Sequence, residues 1–103
     1  MPSTLLRGGT IVTDTETRQV DLLIDGETIV GLGGPPPADA DIVDVSGKLL
    51  LPGGIDPHTH FDLPMFDTVS SDDHYTGHKA AAFGGTTTVM DFVPTPESGP
   101  LRA

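Results

Sequence analysis

His58 and His60 stand two residues apart at the end of the run Leu49-Leu50-Leu51-Pro52-Gly53-Gly54-Ile55-Asp56-Pro57-His58-Thr59-His60. In extended backbone, side chains at i and i+2 share a face, and two residues rise ~6.6 Å. Two imidazoles so placed can lean onto one cation while Thr59 faces the other way. Neutral imidazole suits a borderline ion such as zinc. A bound metal lowers the pKa of water to about 7, which supplies a nucleophile at neutral pH. A catalytic zinc takes about three protein ligands, so the pair is half of a site. With no cysteine in the chain, any metal is held by histidine and carboxylate.

Other titratable residues are weaker candidates. His74 and His78 are spaced i, i+4 on a predicted helix and could share a metal. Solvent-facing histidines on the outer side of that helix are the preferred account. Asp62 follows the pair by two residues and reads as a third ligand or, by preference, as a polar loop residue. Asp91 closes a later strand, where it either orients a ligand histidine as an outer acceptor or makes a simple structural hydrogen bond. Gly84-Gly85 reads as backbone geometry at a helix end. No Ser-His-Asp or phosphate-loop pattern is present.

The elements that position these residues fall into two parts. Over residues 1–51 the pattern is short strands and tight turns, a β-sandwich-like N-terminal subdomain. Leu5 to Arg7 and Thr10 to Thr13 flank Gly8-Gly9, which suits a hairpin. Val20 to Ile24 and Glu27 to Leu32 flank Asp25-Gly26, a stronger hairpin signal. Gly33-Gly34-Pro35-Pro36-Pro37 is a loop. Ile42 to Val45 and Lys48 to Leu51 follow as strands. The apolar run ahead of the histidine pair reads as a buried strand that Asp56-Pro57 helps to end. Over residues 52–103 the order is strand (Ile55 to His58), apolar loop (Phe61 to Val69), helix and strand (Thr86 to Phe92). Ser70 is the expected helix N-cap, with Asp73 completing a capping box. Gly84 is the expected left-handed stop. That order is one βαβ unit of a parallel sheet, with its first strand buried. Pro94 to Pro100 reads as a loop and Leu101 to Ala103 as the start of a helix.

Bulk properties narrow the function classes. Fifteen acidic residues against five basic ones give a net charge of −10 in 103 residues. Such a chain repels phosphate backbones and anionic lipid surfaces, so neither nucleic acid nor membrane is an expected partner. The N-terminus lacks the apolar core of a secretory signal, which makes the cytoplasm the expected location.

The segment Leu51-Pro52-Gly53-Gly54-Ile55-Asp56-Pro57-His58-Thr59-His60-Phe61-Asp62 resembles the first barrel strand of the cyclic amidohydrolases, and dihydropyrimidinases and hydantoinases within them. Ser71-Asp72-Asp73, Ala80-Ala81-Ala82-Phe83-Gly84-Gly85-Thr86-Thr87-Thr88 and Asp91-Phe92-Val93 continue the likeness in order. Leu6-Arg7-Gly8-Gly9-Thr10-Ile11-Val12 resembles the same family's N-terminal β-domain. The resemblance implies a metal-dependent (β/α)8 TIM barrel with a composite β-sandwich, and a centre of two divalent metals, usually zinc. There a bridging hydroxide attacks the ring amide carbonyl of a small cyclic amide such as a dihydropyrimidine or hydantoin. By that resemblance His58 and His60 bind the more buried metal. A carboxylated lysine, two further histidines and an aspartate come from later strands. Leu63, Met65 and Phe66 lie where the family's first loop borders the substrate, and core packing is the other account of them. Related dihydroorotases carry a substrate-binding arginine where this chain has Asp62, so that role does not carry over. The family is commonly tetrameric.

A complete barrel takes about 250 residues. The expectation is therefore an N-terminal fragment of a longer hydrolase, inactive alone. Allantoinase is the rival within the class. A non-enzymatic assembly relative and a self-standing β-rich binding module are the rivals outside it.

Overall fold

A computed structural model describes residues 2–92 of the chain. The expected loop at Pro94 to Pro100 and helix start at Leu101 to Ala103 lie outside the described residues. The chain divides into two compact units, Met1–Pro52 and Gly53–Ala103.

The first unit contains seven strands: β1 (Thr4–Arg7), β2 (Thr10–Val12), β3 (Thr17–Gln19), β4 (Leu22–Asp25), β5 (Thr28–Leu32), β6 (Asp41–Asp44) and β7 (Leu49–Leu50). They form a four-stranded sheet ordered β5-β4-β1-β6 and a three-stranded sheet ordered β3-β2-β7. The expected hairpin at Gly8-Gly9 is absent. Both edges of β1 are taken, by β4 antiparallel and β6 parallel, so β2 cannot pair with it. Gly8, at φ +81°, instead turns the chain from one sheet into the other. Gly47, at φ +76°, does the same between β6 and β7. These are positions where a side chain would strain the backbone. The two corners run side by side, since Val45 N–H donates to Arg7 O at 2.9 Å and Thr10 N–H to Lys48 O at 3.0 Å.

The β4–β5 hairpin forms as expected, one residue later in its turn. Asp25 pairs with Thr28, leaving Gly26 and Glu27 as the loop, and Gly26 sits at φ +59°. A positive φ at the first loop position is the pattern of a type II′ turn. Strand β3 has no counterpart in the sequence reading. Its three residues are all exposed, so no apolar alternation marks it. What makes it is the turn before it, where the Thr13 hydroxyl accepts from the Thr15 and Glu16 amides at 3.3 and 3.1 Å. The buried apolar side chains among the described residues are Leu5, Ile11 and Val45. An apolar cavity of about 300 Å³ is lined from both sheets, by Ile11 and Leu50 on one and by Leu22, Ile29 and Leu32 on the other.

The second unit holds β8 (Gly54–Thr59), β9 (Pro64–Met65), β10 (Thr68–Val69), α1 (His74–Phe83) and β11 (Thr86–Asp91). β8 and β11 pair in parallel and α1 connects them, so the expected βαβ unit is present. Three local expectations change. Pro57 lies inside β8 and does not end it; among the described residues β8 pairs on one side only, and a proline is tolerated on an open edge. The stretch read as an irregular loop contains the hairpin β9–β10, turned by Phe66 and Asp67 at φ +48° and +62°. The helix N-cap is Asp73 rather than Ser70. Its carboxylate accepts from Thr76 N–H at 2.7 Å, while the Ser70 hydroxyl is taken by Leu63 N–H at 2.8 Å. At the other end Gly84 has φ −87°, and the left-handed residue is Gly85 at φ +83°.

β8, expected to be buried, is largely exposed: Ile55, its one large apolar residue, is 66% exposed. A parallel strand needs cover on both faces, and one helix and one neighbour do not supply it. Packing inside the unit centres on Phe61, whose ring fills the space a Cβ on buried Gly77 would occupy.

Candidate metal centre

His58 is the penultimate residue of β8, and His60 follows the strand's last residue. Their Nε2 atoms are 3.1 Å apart. The ring centroids are 5.0 Å apart and the planes meet at 78°, and with the nitrogens this close one ring can donate to the other when no ion lies between them. Two nitrogens each ~2.0–2.1 Å from zinc at a tetrahedral angle stand about 3.3 Å apart. The pair therefore fits one metal ion with a small spread of the rings. Both histidines are solvent-exposed.

The backbone that carries the pair is held at several points. The parallel ladder changes register between Val89 and Asp91, which gives β8 one extra residue there. Such a bulge takes backbone groups out of the ladder, and side chains bond them here. His58 N–H donates to Asp56 Oδ1 at 3.1 Å. Phe61 N–H donates to Asp91 Oδ1 at 3.3 Å. Thr59 points away from the pair, its hydroxyl donating to Met90 O at 3.1 Å. Phe92 N–H donates to Thr59 O at 3.0 Å, and the Phe92 ring stacks on His58 at 4.2 Å and 28°.

Among the described residues no three side chains of metal-binding type come together. Asp62, exposed at φ +49°, does not join the pair as a third ligand. Its N–H donates to Asp72 O at 3.0 Å. Asp91 makes its hydrogen bond to Phe61, and its Oδ2 lies 3.7 Å from Nε2 of His74. His74 and His78 are exposed, yet both rings pack on Phe61, at 5.3 and 5.0 Å between centroids. Leu63 is half-buried, while Met65 and Phe66 are exposed, Phe66 at 91%. A cavity of about 490 Å³ in this unit, lined by His78, Ala81, Ala82 and Thr86 to Val89, shares no residue with the pair.

The sequence reading missed Asp56, Phe92 and the His74–Asp91 contact. Asp56 had a visible signal: an aspartate can accept from the amide two residues on. The others depend on how β11 and α1 meet, which no local pattern encodes.

Comparison with known proteins first defines the class: the chain is related to the cyclic amidohydrolases. More narrowly, it is a homologue of the dihydropyrimidinases and D-hydantoinases, matching an N-terminal portion of them. It is 46% identical over 99 residues to the D-hydantoinase of Geobacillus stearothermophilus, covering 95% of this chain and 21% of that protein. It is 43% identical over 101 residues to the dihydropyrimidinase of Rattus norvegicus, covering 92% of this chain and 19% of that one. The crystal structure of dihydropyrimidinase from Brevibacillus agri superposes with a TM-score of 0.88 at 51% identity, over 94% of this chain and 21% of that one. A D-hydantoinase crystal structure gives 0.90 at 45% identity, over 96% and 22%. The chain thus spans about a fifth of the length of these relatives. No family model matches it. The resemblance read from residues 51–93 is borne out at this level. No helix among the described residues is long and apolar enough to cross a membrane.

Proposed function

We propose that this chain is the N-terminal segment of a metal-dependent hydrolase that opens small cyclic amides of the dihydropyrimidine or hydantoin type. The observation that carries the reading is the 3.1 Å approach of His58 Nε2 to His60 Nε2 at the C-terminal end of β8. Functional groups in parallel α/β folds gather at that end of the strands. The names and identities of the relatives support the substrate class.

In this account the first unit belongs to a composite β-sandwich and the second opens a (β/α)8 barrel. His58 and His60 hold one of two metals, with zinc the ion of choice for imidazole. When bound, the metal lowers the pKa of water to about 7 and polarises the amide carbonyl. The chain's own contribution is to fix two ligands. Asp56 holds the amide of His58, Phe92 braces its ring, and Asp91 holds the amide that follows His60. The resemblance assigns the bridging lysine, the other histidines and the catalytic aspartate to later strands, so residues 1–103 alone do not turn over substrate. A cytoplasmic homotetramer is the proposed form of the whole protein. Allantoinase activity is the runner-up within the class. A non-enzymatic assembly role has no need of a converging histidine pair.

The test is an assay of the complete metal-loaded protein and of the 103-residue chain with dihydrouracil and hydantoin. The complete protein should hydrolyse one or both, and His58→Ala should cost more than the about 10–100-fold typical of losing an outer partner. Turnover by the 103-residue chain, or full activity without His58, contradicts the proposal.

A further inference from the structure

We propose that Asp91 is a positioning residue for the histidine pair, acting through the peptide that follows His60; the assignment rests on the reading of His58 and His60 as metal ligands. The starting point is the register change in the β8–β11 ladder, which puts one extra residue of β8 between Asp56 and Thr59, before Thr59 pairs with Asp91. Two carboxylates bond the backbone there. Asp56 Oδ1 accepts from His58 N–H at 3.1 Å, and Asp91 Oδ1 accepts from Phe61 N–H at 3.3 Å. The His-Thr-His triplet is therefore gripped at both ends. Fixing the Phe61 amide fixes the peptide plane leaving His60, and with it the direction in which the His60 side chain departs.

The two grips differ. Asp56 is an exposed residue of β8 itself and acts locally. The Asp91 side chain is 19% exposed and belongs to the neighbouring strand. A carboxylate so enclosed needs polar partners. Its Oδ1 has the Phe61 amide, and its Oδ2 faces Nε2 of His74 at 3.7 Å. His74 is the first residue of α1, directly after the Asp73 cap. Asp91 thus ties three pieces together: the end of β11, the peptide after His60, and the start of the helix. A ring bond from Asp91 to a ligand histidine is not how it acts. It works one peptide away, on backbone.

The experiment uses the 103-residue chain by NMR, with cobalt titration as a second readout. In Asp91→Ala, hydrogen exchange at the Phe61 amide should accelerate about tenfold or more, and the His60 ring nitrogen signals should shift. Ile55 and Val89 amides, in the regular part of the ladder, should keep their protection. Cobalt affinity should fall about 10–100-fold. Asp91→Asn keeps an acceptor oxygen, so Phe61 protection should stay within about threefold of the parent, while the His74 ring signals shift. Unchanged Phe61 exchange and His60 ring signals in Asp91→Ala overturn the assignment. So does Asp91→Asn with unchanged His74 signals. Failure of the parent chain to bind cobalt sinks the metal reading instead, and the exchange and ring signals still decide the role of Asp91.

Discussion

Gly77 on α1 lies directly against the ring of Phe61, so closely that a Cβ at position 77 would overlap ring atoms. The contact joins the helix to the residue that follows His60, and the same ring packs on His74 and His78. Helix propensity alone favours alanine over glycine by ~0.8–1 kcal/mol. Gly77→Ala should nevertheless lower stability by roughly 1–3 kcal/mol through overpacking. Urea denaturation measures it. Phe61→Leu in the same chain should recover part of the loss, a coupling that distant sites do not show.

Acid should weaken the fold through two carboxylates. The Thr76 amide, then its hydroxyl, hold the Asp73 carboxyl below its ordinary value. The Ser46 hydroxyl and amide, with a smaller contribution from Arg7, do the same to Asp44. A carboxyl with a lowered folded-state pKa stabilises the fold above the unfolded-state pKa. That stabilisation is lost as pH falls through the folded-state pKa. Thermal melts should therefore fall as pH drops below the usual carboxylate range. Asp44→Asn with Asp73→Asn should flatten that dependence.

The two units leave much apolar surface open. Ile29 is 63% exposed, Leu49 63%, Ile55 66%, Phe66 91% and Phe83 86%. Faces of this kind attract other apolar surface. The 103-residue chain should bind an apolar dye and self-associate as concentration rises, measured by sedimentation. A concentration-independent monomer that binds no dye would favour the self-standing module.

The βαβ order and the histidine pair were legible because each rests on local signals: strand-like runs either side of a helix pattern, and two ligand-type residues at i and i+2. The β4–β5 hairpin was legible for the same reason, since Asp25-Gly26 signals a turn, though the turn itself falls one residue later at Gly26-Glu27. The Gly8-Gly9 corner was not, because a glycine pair permits a hairpin and a sheet change alike, and only the occupation of both edges of β1 decides. The cap moved from Ser70 to Asp73 because Ser70 had a competing partner in Leu63. The burial of β8 was overestimated, since the apolar run that suggested it, Leu49 to Leu51, lies ahead of the strand and its first two residues form β7. Asp91 was picked out by its place at a strand end, and its partners became visible only once β11 lay beside β8.

Cobalt or zinc titration of the 103-residue chain by calorimetry, with His58→Ala and His60→Ala beside it, addresses the histidine pair most directly. The parent should bind the ion, and each replacement should weaken binding at least about tenfold. Equal affinity in the parent and in both replacements would contradict the account.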